Sequence, residues 1–324
     1  MNLFPIFVKQ GRHADCYRAG FIDAVGEVRI QPDFHGVHTF HEGMASVQFG
    51  DLWGFIDEVG KMVIEPFSSG AQSFSEGRAV FSQEARRGVI DRSGKIIVAA
   101  TYFGIGMYSE GLAWMSDVGA WNSEPGSYGV LDAEGNVKIP FFFDDMRGFA
   151  EGNAAAKLGG KWGFIEPGGS FAIPATFDFA VRFSEGLARV KSGRLWGYID
   201  HAGQYVISPR YDSALDFSEG LAAVEKDKRW GYIDHQGQYQ ILPSFHQAKV
   251  FSEGFARVEI GNLNGYIDRS GRMRIREQFD FAGDFRNGLA LVQTKQSTKY
   301  VNKQGGSVWE GPYVEIAFAF MPGF

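Results

Sequence analysis

Two short signatures recur in step along the whole chain, and no other feature limits its fold so severely. The first, Phe-x-Glu-Gly in its best-preserved form, begins at Phe40, Phe74, Tyr108, Phe149, Phe183, Phe217, Phe251 and Phe285, at intervals of 34 residues with a single interval of 41. The second, Gly-aromatic-Ile-Asp in its fullest form, begins at Gly20, Gly54, Gly88, Gly129, Gly163, Gly197, Gly231 and Gly265, and it keeps the same phase. An internal period of this length is the mark of a repeat architecture, in which each unit buries its apolar face against its neighbours. The seven extra residues fall between Glu110-Gly111 and Gly129-Val130. The polar stretch from Ser116 to Gly126 is the insertion, and it is expected to be a loop.

Within a unit the pattern is that of strands. Leu187-Ala188-Arg189-Val190, Leu195-Trp196-Gly197-Tyr198-Ile199 and Gln204-Tyr205-Val206-Ile207 are short runs rich in β-branched and aromatic residues, each bounded by Gly, Pro, Asp or Ser. No run is long enough for a helix, so an all-β chain is expected. Asp200-His201-Ala202-Gly203 and its counterparts at Asp57, Asp91, Asp132, Asp234 and Asp268 lie between two such runs and predict tight hairpins. In each, the carboxylate accepts backbone N–H groups and the Gly supplies a left-handed residue.

The pairs Trp53-Gly54, Trp162-Gly163, Trp196-Gly197 and Trp230-Gly231, set in this frame, resemble the bacterial WG-repeat (KWG) β-repeat proteins. The resemblance covers nearly the whole chain, with Arg87, Tyr128 and Asn264 in place of the Trp in three units. It implies a repeated β architecture with a binding or scaffolding role, and it carries over no catalytic residue.

With about nine units of up to four strands each, the alternatives are a closed, propeller-like ring and an open β-solenoid. The ring is favoured because the two ends of the sequence are complementary in phase. Tyr313 to Phe320 matches the segment that precedes each first signature, and Phe7-Val8-Lys9 matches the strand that follows one. The expected organisation is therefore one array over residues 1–324, with residues 313–320 completing the N-terminal unit. Nine blades of about 34 residues are many and short for a propeller, which keeps the solenoid as the alternative.

Composition agrees with an ordered β protein: 44% of residues are hydrophobic, with 30 Phe and 43 Gly. The net charge of −6 with dispersed basic residues argues against nucleic acid as a partner. The N-terminal residues carry neither a charged leader nor a long apolar run, so no membrane segment is expected, and the single Cys16 leaves no internal disulfide. A cytoplasmic location is the expectation, with export lacking a cleaved signal as the alternative.

The repeated Glu and Asp residues offer oxygen ligands for a hard cation, but each is better explained as satisfying its own turn. His35, His38 and His41 are spaced for opposite faces of a strand, and His13 and Cys16 lack a second thiol; neither group makes a metal site. No contiguous catalytic or phosphate-binding motif occurs. No catalytic residue, metal or cofactor is assigned. Trp121 stands apart, being an aromatic in the one segment that the period does not explain, and with Asn122 and Glu124 it forms the candidate partner-binding site. The expected function is a non-enzymatic scaffold for an unidentified protein partner. One alternative is a glycan or cell-wall binder, which requires Trp53, Trp162, Trp196 and Trp230 to face solvent. The other is an enzyme with its site in a central funnel.

Overall fold

A computed structural model describes residues 2–9, 17–118 and 126–314. Its helices and strands among these residues are 35 strands and no helix. The strands form nine antiparallel sheets, each running through its strands in chain order. Eight sheets have four strands; the sheet of Phe4–Lys9, Tyr17–Ile22 and Val28–Phe34 has three. These sheets are the blades of a β-propeller.

The sixth blade shows how a unit folds. Its strands are Phe179–Ser184, Leu187–Ser192, Leu195–Ile199 and Tyr205–Tyr211. Glu185 and Gly186 join the first two with φ of 55° and 82°, the pair of positive values that a two-residue type I′ hairpin requires. The third hairpin is closed as expected: Asp200 Oδ1 accepts the N–H groups of Ala202 at 3.0 Å and Gln204 at 2.9 Å. Because neighbouring strands alternate in direction, the Glu-Gly and Asp hairpins lie at one end of the blade. The hairpin between the second and third strands lies at the other.

Gly197 is required for a different reason. The fourth strand carries a β-bulge opposite it, with the register shifting between Trp196 and Tyr198. The bulge brings the chain over the glycine so closely that a Cβ there would stand 2.5 Å from the Ile207 carbonyl oxygen and 2.7 Å from the Pro209 nitrogen. The invariant glycine of the second signature is thus a space requirement set by the next strand.

Each repeat opens on the next-to-last strand of one blade and runs through the first two strands of the next. This offset explains how eight copies of each signature yield nine blades. It also leaves the first and last blades to be built from the chain's two ends, and these blades share a core. Phe4, Ile6 and Ile22 pack with Leu289, Leu291 and Tyr300. The Phe4 and Tyr300 rings lie 5.4 Å apart, and the Tyr300 hydroxyl donates to the Pro5 carbonyl at 2.9 Å. A solenoid has no such contact between its ends, so the open alternative is set aside. Of the segment expected to complete the N-terminal unit, residues 315–320 lie outside the described residues. Tyr313, which is described, accepts a hydrogen bond on its carbonyl from the Tyr17 hydroxyl at 3.3 Å.

The chain divides into two compact units. The first holds Met1–Ala100, Asn262–Tyr266 and Met273–Phe324; the second holds Thr101–Gly261 and Ile267–Arg272. In both, the core lies between successive sheets. In the first unit, for example, Phe55, Phe74 and Phe81 join Trp53 and Ile90 in one cluster. In the second, Trp162, Phe164, Phe177 and Phe183 do the same with Val190 and Ile199.

Candidate interaction surface

The period makes departures visible, because each residue can be compared with its counterparts in the other units. The repeated acids come first. The Asp carboxylates act within their own hairpins, as expected, and Asn302 does likewise for Gln304 and Gly306. The Glu series behaves differently. Five of these carboxylates, those of Glu42, Glu110, Glu151, Glu185 and Glu219, reach the hairpin of the following unit: Glu42 accepts the N–H groups of Glu76 at 2.6 Å and Gly77 at 2.9 Å, Glu151 that of Gly186 at 3.0 Å, and Glu185 that of Gly220 at 2.9 Å. The Glu residues therefore do not satisfy their own turns. They hold left-handed conformations that cost a non-glycine residue roughly 1 kcal/mol, and the charge-assisted bonds to the next unit offset that cost.

The residue after the hairpin Asp completes this arrangement in several units. His201 stacks on Phe183 at 3.9 Å and meets Glu151 at 3.2 Å. His235 likewise stacks on Phe217 at 4.3 Å and approaches Glu185 at 3.5 Å. Arg92 lies over Phe74 and donates to the Glu42 carbonyl at 2.8 Å. This end of the blades is thus committed to structure. Among the described residues no group of three or more His, Cys, Asp or Glu is arranged to hold a metal ion. Replacing Asp200 with Ala is expected to cost roughly 1 kcal/mol through the lost hairpin bonds. Denaturant unfolding with and without calcium checks this, and a calcium-dependent gain in stability that disappears in the variant would contradict it.

The three clustered histidines separate in the same way. His35 Nδ1 accepts the Gly50 N–H at 3.1 Å. His38 is buried, bonds Ser46 at 2.7 Å and stacks on Trp53, and burial lowers its pKa. His41 pairs with Thr39 at 3.1 Å. His13 and Cys16 lie outside the described residues.

The tryptophans of the repeated pair are packed. Trp53 and Trp162 are buried, and Trp196 and Trp230 are half-buried. Arg147 covers the face of Trp162 at 4.7 Å, and Arg189 that of Trp196 at 5.3 Å. The solvent-facing row that glycan stacking needs is not present in these four residues.

The opposite end of the blades differs from unit to unit, and one unit stands out. In most blades the residue just before the first strand accepts an N–H from the second hairpin. Asp144 does this for Gly160 at 3.2 Å, Asp178 for Gly193 at 2.6 Å, Asp212 for Asp227 at 2.9 Å and His246 for Gly261 at 3.0 Å. In the blade of Gly104–Ile105, Leu112–Ser116, Tyr128–Asp132 and Val137–Phe143, that position is Phe103, and its side of the second hairpin is the insertion.

The fourth strand of the same blade departs as well. Phe142 stands where six of the seven other matching units have a polar residue: Asp33, Thr101, Thr176, Arg210, Ser244 and Gln278. Phe103, Phe141 and Phe142 are 38%, 37% and 55% exposed, and the Tyr102 ring lies 6.2 Å from that of Phe141. The insertion leaves this blade through Asp117, whose N–H donates to the Ser127 carbonyl at 3.2 Å, and Gly126 returns beside the Phe142 carbonyl. An exposed aromatic patch therefore lies at the root of the insertion. Trp121, Asn122 and Glu124 themselves lie outside the described residues.

Comparison with known proteins accounts for the frame but not the patch. The model of the WG containing repeat matches residues 20–53, 53–85, 88–117, 128–162, 162–195, 196–230, 230–263 and 265–296, and it breaks at the insertion. No curated protein matches the chain. Among solved structures, the crystal structure of the eukaryotic initiation factor is similar with a TM-score of 0.65 at 11% identity, over 97% of this chain and 96% of that one. Apo AztD from Citrobacter koseri is similar with a TM-score of 0.50 at 11% identity, over 97% and 96% of the two chains. At such identities the likeness is one of fold.

Proposed function

The chain belongs to the family of the WG containing repeat, and from this premise we propose that it is a non-enzymatic scaffold for protein–protein interaction whose recognition surface is the aromatic patch at the insertion. One observation carries the proposal. Phe103, Phe142 and the insertion are three departures from the period, and all three fall in the same blade and at the same end of it. A propeller core has no need of exposed aromatic rings, whereas rings held on a rigid sheet beside a loop are suited to anchoring a partner. Residues 116–127 contain Asp117 and Glu124 and no Lys or Arg, and Asp144 and Asp145 follow the patch directly. The partner that fits this chemistry is a protein segment with apolar anchors flanked by basic residues.

The test is affinity capture with the purified chain, followed by calorimetry with the identified partner. Phe142→Thr restores the residue type found at Thr176, so it should leave stability within about 0.5 kcal/mol while weakening binding by about tenfold or more. Trp121→Ala should also weaken binding, and replacing residues 117–126 with a short Gly-containing link should preserve the melting temperature while abolishing capture. Unchanged affinity in Phe142→Thr and Trp121→Ala would place recognition elsewhere on the array.

A further inference from the structure

Within the second compact unit, cations are paired with acids in several places, as Lys161 is with Asp178 and Arg189 with Asp216, both at 2.6 Å. Arg210 and Lys226 are not. Neither has a carboxylate partner among the described residues, and the two meet in a groove of about 430 Å³ with Tyr211, Gly237, Gln238 and Tyr239. The groove runs from the end of the sixth blade's fourth strand, Tyr205–Tyr211, to the start of the seventh blade's, Tyr239–Phe245. Its volume falls in the range of about 300–1,000 Å³ usual for ligand sites.

Both cations depart from the period. Arg210 stands at the position of Phe142 and Thr176, and it is the single basic residue there among the eight matching units. Lys226, six residues after the Gly of the first signature, is likewise the single basic residue among its eight counterparts. The blades therefore fold without a cation at either place.

The guanidinium is held in a fixed orientation. It lies over the Tyr211 ring at 5.2 Å, its Nε donates to the Tyr211 hydroxyl at 3.1 Å, and its Nη2 donates to the Gly237 carbonyl at 2.7 Å. Gly237 makes the room, since a Cβ there would stand 2.6 Å from Nη2. Lys226 Nζ donates to the Arg210 carbonyl at 3.1 Å, which brings the ammonium to the same groove. These bonds leave three guanidinium and two ammonium hydrogens for a ligand. The Tyr239 ring, 36% exposed, lies 6.4 Å from that of Tyr211.

We propose that this groove is a docking site for an acidic protein segment, independent of the aromatic patch, in which one Asp or Glu carboxylate is held by Arg210 and Lys226 while an apolar neighbour of that residue rests on Tyr239. Two cations gathered without an acid call for an anion, and a fixed planar fork matches a carboxylate. An exposed tyrosine ring beside the charge adds apolar contact. Nucleic acid and anionic membranes present extended fields of negative charge, which the net charge of −6 and the neighbouring Asp212 and Asp227 oppose. A single carboxylate needs the local pair alone.

The test uses the full chain to select short peptides from a random displayed library. Selected peptides should carry Asp or Glu beside Leu, Ile or Phe, and changing that acid to its amide should weaken binding about tenfold or more in calorimetry. Arg210→Thr and Lys226→Gln, which restore the residue types of Thr176 and Gln83, should weaken it by a similar factor. Arg210→Lys should recover a part of the loss, since it keeps the charge without the fork. If Arg210→Thr does not fold, Lys226→Gln and Tyr239→Ser serve in its place. Phe142→Thr should leave these peptides bound with unchanged affinity, and a loss there would overturn the proposal by assigning them to the aromatic patch. Absence of acidic peptides from the selection would overturn it too, as would affinities indifferent to the groove substitutions. Retention on heparin or on phosphatidylserine vesicles that those substitutions abolish, with no acidic peptide selected, would overturn it in favour of a polyanion surface.

Discussion

Gly197→Ala is expected to destabilise the protein by roughly 2–4 kcal/mol, although it adds a single methyl group. That methyl would stand 2.5 Å from the Ile207 carbonyl oxygen and 2.7 Å from the Pro209 nitrogen, both of them main-chain atoms fixed by the bulge. Neither can rotate away. Relief requires the fourth strand to lift from the third, which breaks the pairs Trp196 with Tyr211 and Tyr198 with Ile207. Gly186→Ala makes an informative comparison, because a Cβ at Gly186 meets nothing within 4 Å and that residue is glycine for its φ of 82° alone. Its cost should be roughly 1–2 kcal/mol. Equilibrium unfolding of the two variants measures the difference, and equal costs would show that the bulge yields.

Phe183→Ala should cost roughly 3–5 kcal/mol, the range for removing a fully packed aromatic ring. Phe183 is 2% exposed. It packs on Phe164 at 4.8 Å and supports the His201 ring at 3.9 Å, so its loss opens a void between two blades and also frees the imidazole that meets Glu151. The damage should therefore extend past its own unit. Amide exchange is expected to rise around residues 151–165 as well as 183–201, and a rise confined to the latter would indicate that the blades are less coupled than their packing implies.

The sequence made the architecture legible because two signatures hold one phase, and the strand, hairpin and insertion assignments all follow from that phase. The role of the Glu series was hidden for a physical reason. Its carboxylates act about 35 residues away, on a neighbour's hairpin, and no inspection of a single unit reveals a partner in the next. The aromatic patch was missed for the opposite reason. Attention to what recurs picks out Trp53 and Trp162, which turn out to be packing residues, while Phe103 and Phe142 are informative because they break the pattern. Position-by-position comparison of the units would have found both.

The offset between repeat and blade also bears on how such a chain can change in number of units. The repeat boundaries near residues 53, 162, 195 and 230 fall at the hairpin between second and third strands, on the end of the blade where the insertion also sits. Genetic duplication or loss of one whole repeat would therefore join half-blades at a surface turn. Every new junction would meet the same partner strands as before, and each added repeat would bring a carboxylate to grip its successor. Copy number can drift without any interface having to be reinvented.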